Sequence, residues 1–386
     1  MLINSKLSVP LYHCTTPHSV VMPSRPLLAV SLTVCVMITS SSSSALSSPS
    51  SAPHDHGFSY EEATAKDAML YSAAAYCPSF KVRAWEGMGH HCSVGTKKFE
   101  VSAAVEASDV TNTREYFGYM GVDHERRWVV AAFKGTNGSV ADFATDLAGG
   151  YYDSECTVQG VRLGKVHRGF CDYWGSLQAS GFGERLASLA TSHPGYRVVL
   201  TGHSLGAAVA VVAATFLGIR YPAESSGPGR LPPLTVYTFG QPRVGDAAFS
   251  DRFAAASPDA WRVVHRKDAV AHEPMCCWNV LGLGGCRRRP GCPYHSAGEV
   301  WYSGKGLAEG DESMPDGAYT LCRGAEDPAC GNWMALSLPD HLSYFGSNLP
   351  ALCCYAPPAV APALAVTEVL LGAGGARHRS ERGRAI

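Results

Sequence analysis

Between Arg197 and Arg220 a short apolar run, Arg197-Val198-Val199-Leu200-Thr201, meets an alanine- and valine-rich stretch across Gly202-His203-Ser204-Leu205-Gly206. The first piece has the length and β-branched content of a buried strand, and the second is a strong helix former with almost no polar side chain. A serine on the sharp turn between them needs glycines two residues to either side, because bulky neighbours would clash where strand and helix nearly touch. Such a unit must be buried by further layers, which points to an α/β fold.

The rest of the chain alternates in the same way. Strands are predicted at Trp128 to Phe133, Tyr196 to Thr201, Leu234 to Phe239 and Trp261 to His265, and helices near Tyr60 to Tyr76, Tyr173 to Ser192 and Leu205 to Arg220. Apolar residues make up 46% of the 386 positions and charged ones only 17%, enough to fill a substantial core. A net charge of −1 gives no electrostatic footprint for a nucleic-acid partner, and no run is long and apolar enough to predict a stable membrane span.

Both ends read differently from the middle. Arg25 precedes the apolar run Pro26 to Ile38 and a serine tract, the pattern of a secretory signal peptide over residues 1–45, with ordinary proportions if translation starts at Met22. Residues 46–57 read as a flexible leader, 58–355 as the folded domain and 356–386 as a disordered tail. Setting aside Cys14 and Cys35 leaves twelve of the fourteen cysteines, an even number that suits disulfides in an extracellular protein. Cys276, Cys277, Cys286, Cys292 and His295 lie close together, but without the paired C-x2-C spacing of zinc sites; no metal and no cofactor are expected.

A nucleophilic serine requires a base and an acid, which in α/β hydrolases follow it in the order Ser, Asp or Glu, His. Asp268 follows the predicted strand Trp261 to His265 and is favoured as the acid, with Asp246 the weaker candidate. Two histidines, His295 and His341, fit the order for the base, and spacing alone does not separate them. His167 and His203 read as packed histidines beside the site.

Several segments, in order, resemble the fungal-type, or class 3, lipase family: "YSAAAYC" from Tyr71, "AAFKGT" from Ala131, "KVHRGF" from Lys165, "TGHSLGAA" from Thr201, "YTFGQPRVGD" from Tyr237, "HRKDAV" from His265 and "DHLSYFG" from Asp340. The resemblance covers roughly residues 60 to 355. It implies an α/β-hydrolase fold: a mostly parallel central sheet flanked by helices, with a short helical lid and disulfides. It further implies a triad of Ser204, Asp268 and His341, because the family's base lies in the "DHLSYFG"-like segment. The oxyanion donors implied are Thr136 and the backbone N–H of Leu205. This chain has Lys134 where the family commonly has Arg. The segment Asn137 to Leu147 stands at the position of the family's lid, and Val140, Phe143 and Leu147 fall on one helical face. The resemblance also suggests disulfides between Cys322 and Cys330, and between Cys77 and either Cys353 or Cys354.

The expectation is a secreted, monomeric triacylglycerol lipase working through an acyl-enzyme on Ser204, with lipid or another ester at a lipid–water interface as its partner. Phospholipase A1 or feruloyl-type esterase activity with the same triad is the alternative within the chemistry. A catalytically silent lipid-binding homologue is the alternative outside it.

Overall fold

The computed structural model describes residues 59–86, 88–108, 115–136, 147, 154–223, 230–277, 286–296, 298–305, 313–330 and 337–354. The expected signal peptide, leader and C-terminal tail, and Val140 and Phe143 of the expected lid, lie outside them.

In chain order the strands that organise the domain are β1 (Phe99–Ser108), β2 (Glu115–Asp123), β3 (Trp128–Phe133), β4 (Glu155–Val158), β5 (Val161–Lys165), β6 (Arg197–His203), β7 (Leu234–Phe239), β8 (Gly245–Asp246), β9 (Asp259–His265), β10 (Pro293–Tyr294), β11 (Glu299–Tyr302) and β12 (Thr320–Cys322). Eight of them form one sheet in the order β1-β2-β3-β6-β7-β9-β11-β12. The five inner strands from β3 to β11 run parallel, each pair in continuous register. β1 and β2 add antiparallel neighbours at one edge, and β12 adds one at the other.

Parallel strands must be covered on both faces, so their side chains are apolar in both directions. β3 and β7 are buried at every residue. Alternation then sorts those residues between two cores. Val129, Ala131, Phe133, Val198, Leu200 and Val236 pack on the side of the helix Leu205–Arg220. Trp128, Val130, Ala132, Val199, Tyr237 and Phe239 pack on the side of the helix Glu62–Ala74. The helix Leu205–Arg220 is buried on all sides from Gly206 to Leu217, which explains why its sequence carries no polar stripe.

Six disulfides join Cys77 to Cys354, Cys92 to Cys353, Cys156 to Cys171, Cys276 to Cys286, Cys277 to Cys292 and Cys322 to Cys330. The cysteine cluster around His295 is thus cross-linked as two bridges, and no group of three or more metal-ligating side chains gathers among the described residues. No helix among the described residues is long and apolar enough to cross a membrane.

One sequence expectation is corrected. Tyr173 to Ser192 is two helices, Arg168–Ala179 and Phe182–Ser192, because Gly181 takes φ 78° between them. The Gln178 side chain then accepts from the N–H of Gly183 at 2.8 Å and starts the second helix afresh.

Candidate active site

The site grows out of the junction between β6 and the helix Leu205–Arg220. Ser204 sits between them with φ 59° and ψ −125°, a backbone conformation that costs a non-glycine residue about 1–3 kcal/mol and needs enforcement by its surroundings. That enforcement is visible on three sides. The Ser204 N–H donates to the Phe239 carbonyl at 3.0 Å. A side chain at Gly202 would collide with the backbone of Gly206 and lie 2.7 Å from the Ala207 nitrogen. A side chain at Gly206 would collide with the Phe133 carbonyl and come within 2.8 Å of its carbon. The two glycines therefore let strand, turn and helix close on one another and on the end of β3.

That contact at Phe133 also positions Thr136, three residues on. Gly135, between them, has no room for a side chain, which would strike the Tyr76 hydroxyl and lie 2.8 Å from the His203 carbonyl. Among the described residues the Thr136 Oγ1 is buried and without a hydrogen-bond partner. Leu205 opens the helix, and N–H groups in a first helical turn have no intrahelical acceptor. The Thr136 hydroxyl, unpartnered among the described residues, and the Leu205 N–H at the helix start are thus the donor groups beside the elbow.

The expected acid, Asp268, and the expected base, His341, come from separate segments of the C-terminal half. Asp268 follows β9 in a short turn in which it accepts from the N–H groups of Val270 (2.8 Å) and Ala271 (3.1 Å). His341 lies in the short helix Leu338–Leu342, capped by the Ser337 hydroxyl. Its Nδ1 is 2.9 Å and 3.0 Å from the two Asp268 oxygens, and both side chains are fully buried. The Tyr344 hydroxyl donates to Asp268 Oδ2 at 2.6 Å. Burial by itself would raise the Asp268 pKa; the nearby His341 and the hydrogen bonds from His341, Tyr344 and the Ala271 N–H more than offset it and hold the carboxyl at about 2. The carboxylate is therefore ionised, and it fixes the hydrogen of His341 on Nδ1. Nε2 of His341 is buried and has no hydrogen-bond partner among the described residues, so it stands as a free acceptor.

Backbone contacts bring the serine and the pair together. Phe239, which holds the Ser204 N–H, precedes Gly240, where φ is 58° and an added side chain would lie 2.7 Å from both Asp268 Oδ2 and His341 Nδ1. The His203 ring stacks on His341 with centroids 4.5 Å apart. Gly240, Tyr76, Tyr344 and the bridging part of His203 are the site residues that sequence reasoning missed. Gly240 and Tyr344 lie inside the quoted segments "YTFGQPRVGD" and "DHLSYFG", but nothing in the spacing shows that one supplies space and the other a hydrogen bond.

The alternative residues have other work. Asp246 caps the helix Ala247–Ala256, accepting from the Phe249 N–H at 3.0 Å. His295 is buried, and its Nε2 donates to the Ala271 carbonyl at 2.8 Å, bracing the turn that holds Asp268. Burial, then the charges of Arg262 and Arg243, press its pKa well below the usual histidine value. Asp340 accepts from the Lys267 N–H at 3.0 Å. Lys134 is half-buried with its pKa lowered by that burial. Leu147 is fully buried in the core.

Comparison with known proteins agrees with this picture. A family model described as Lipase (class 3) matches residues 130–278. A secreted mono- and diacylglycerol lipase from Fusarium solani is 28% identical over 72% of this chain and 74% of its own length. A lipase from Rhizomucor miehei is 32% identical, but over 48% of this chain and 44% of its own length. Among solved structures, a triacylglycerol lipase with a serine protease triad as its catalytic centre superposes with a TM-score of 0.57 at 25% identity, covering 76% of this chain and 98% of that one. Lipase II from Rhizopus niveus superposes with a TM-score of 0.56 at 25% identity, covering 75% and 97%. The chain thus has the α/β-hydrolase fold of these lipases, and its residues 130–278 match the class 3 lipase family model.

Proposed function

We propose that this protein is a secreted hydrolase of lipid carboxylic esters, acylglycerols in the first place, and that it works through an acyl-enzyme on Ser204. The observation that carries the reading is the fully buried Asp268–His341 pair, whose free Nε2 lies in the same backbone cluster as the strained serine. The named activities of the Fusarium and Rhizomucor relatives support the acylglycerol class. Secretion is supported by the apolar run after Arg25 and by six disulfides, which suit an oxidising compartment.

In this reading Ser204 Oγ attacks the ester carbonyl as His341 Nε2 takes its proton, and Asp268 steadies the resulting imidazolium. The tetrahedral oxyanion accepts hydrogen bonds from Thr136 and from the N–H of Leu205. Collapse expels the alcohol, which receives the proton from Nε2, and leaves the acyl group on Ser204. A water molecule, deprotonated by the same nitrogen, then attacks the acyl-enzyme; the acid leaves and Ser204 regains its proton. A fluorophosphonate probe tests the nucleophile: it is expected to add one phosphonyl group to the peptide carrying Ser204 and none to the Ser204→Ala protein. Labelling elsewhere, with Ser204 unmodified, would overturn the reading.

A further inference from the structure

We infer that His203, the residue between Gly202 and the nucleophile, is a positioning residue for the base: a neutral imidazole that holds the backbone of His341 in place and is itself held by Tyr76. The inference rests on the reading of Ser204, Asp268 and His341 as the triad.

The hydrogen-bond pattern fixes the arrangement. His203 Nε2 is 2.7 Å from the carbonyl oxygen of His341. A carbonyl can only accept, so Nε2 carries the hydrogen, and in a neutral ring Nδ1 is then an acceptor. It is met by the Tyr76 hydroxyl at 2.7 Å, which donates. Both ring nitrogens are thus used, on opposite sides, by partners far apart in sequence. The ring face adds a third contact, stacking on His341 at 4.5 Å and an interplanar angle of 30°. Tyr344 packs edge-on against the same ring at 5.9 Å while its hydroxyl donates to Asp268. His203–His341–Asp268–Tyr344 therefore closes into a loop of side chains that includes the base, and Tyr76 is attached to it through His203.

The consequence is geometric. Only five residues, Leu338–Leu342, form the helix that carries His341, too short to fix its own orientation. Asp268 fixes the imidazole at one end through Nδ1. Asp340, the residue before, is held by the Lys267 N–H at its carboxylate and by His265 Nδ1 at its carbonyl, and a hold on the His341 carbonyl itself keeps the ring from pivoting about the Asp268 hydrogen bond. His203 supplies the hold from the residue directly before the serine, so that base and nucleophile are referenced to the same point in the chain. Tyr76 ties the assembly to the oxyanion side, since its hydroxyl also fills the space beside Gly135. Full burial, and next the adjacent His341, lower the His203 pKa to about 3, so the ring stays neutral and does not compete for the catalytic proton.

Three variants test this on p-nitrophenyl butyrate, a soluble ester. His203→Phe keeps a ring to stack on His341 but removes donor and acceptor. It is expected to lower kcat by on the order of 10- to 100-fold with KM changed less than about threefold. His203→Gln places an amide donor where Nε2 lies and is expected to recover kcat to within about fivefold of wild type. Tyr76→Phe leaves His203 in place and removes only the donor to Nδ1, and a kcat loss of about three- to tenfold is expected; this variant keeps the test open if His203→Phe does not fold. Equal loss in His203→Phe and His203→Gln would mean that a donor at Nε2 is not what His203 supplies, and unchanged kcat in His203→Phe or Tyr76→Phe would likewise overturn the inference. Ser204→Ala serves as the control. If it retains turnover, the triad reading fails; if it is inactive while His203→Phe is normal, only the role of His203 does.

Discussion

At the scale of single residues, the site depends on space as much as on reactive groups. Gly240 shows this most directly. An alanine there would have to hold φ near 58° and place a methyl group 2.7 Å from both Asp268 Oδ2 and His341 Nδ1. Gly240→Ala is expected to cost about 1–3 kcal/mol of stability through strain and to reduce kcat by on the order of 100-fold through displacement of the pair. Urea unfolding and turnover of a soluble ester check the two effects separately, and turnover within twofold of wild type would show that the pair can shift without harm. A complementary expectation separates the two histidines that sequence spacing left equal. His295→Gln retains a donor to the Ala271 carbonyl and should leave turnover far closer to wild type than His341→Ala, because His295 braces the Asp268 turn from behind. Reactive residue types at motif positions were legible in the sequence. Gly240, Tyr76 and Tyr344 were not, because the need for a glycine or a hydroxyl arises only once β7, the turn after β9 and the C-terminal segment meet.

At the scale of elements, strands and helices buried all round were read with bounds close to those observed. Trp128–Phe133, Leu234–Phe239 and Leu205–Arg220 stand as expected, because nothing but an apolar run of the right length can occupy the middle of a parallel sheet or its covering helix. The antiparallel pair β1 and β2 was not foreseen. Its second strand is interrupted by Gly118 and Gly121, whose missing side chains make room for Phe133, Leu177 and Phe182 at the first and for Phe99 and the Glu100 backbone at the second. Glycine replaces the β-branched signal that would have marked the strand. The C-terminal segment carrying His341 depends on cross-links that join it to the first helices: Cys77–Cys354 spans 277 residues and Cys92–Cys353 spans 261. Each ring constrains the unfolded chain strongly, but the second closes one that the first has already almost closed. Removing either bridge by paired Cys→Ser substitution should therefore cost about 3 kcal/mol, the value for the ring of about 16 residues that the other bridge leaves, and removing both more than twice that, because the long loop is then opened as well. Urea unfolding of the three variants checks this; equal, additive losses would show that the bridges act independently.

At the scale of the whole molecule, several buried histidines set how stability responds to acid. Burial lowers the pKa of His203 to about 3, that of His295 well below the usual value, and those of His265 and His272 in the same direction. The unfolded chain takes up protons at these positions below about pH 6.5, before the folded chain does. Their contribution to stability is thus complete above that pH and is lost as the pH falls, at about 1.4 kcal/mol per pH unit for a histidine that stays neutral in the fold, as His203 does. Asp268 has the opposite location on the pH scale: its lowered pKa contributes stability above about pH 4, which is lost as the pH approaches 2. Between pH 6 and 4.5 the histidines govern this balance. His295→Gln should flatten the slope of unfolding free energy against pH by about one proton in that window, and an unchanged slope would mean that His295 already takes up a proton in the fold.

The central claim is that Ser204, His341 and Asp268 act as one unit, and residues that act as a unit fail together rather than additively. Turnover of a soluble short-chain ester by Ser204→Ala, His341→Ala, Asp268→Asn and the Ser204→Ala/His341→Ala double variant, each shown to be folded, tests it. Ser204→Ala and His341→Ala are each expected to lose about three or more orders of magnitude, Asp268→Asn to fall severely as well, and the double variant to be no slower than either parent. Activity within tenfold of wild type in Ser204→Ala, or losses that multiply in the double variant, would contradict the account.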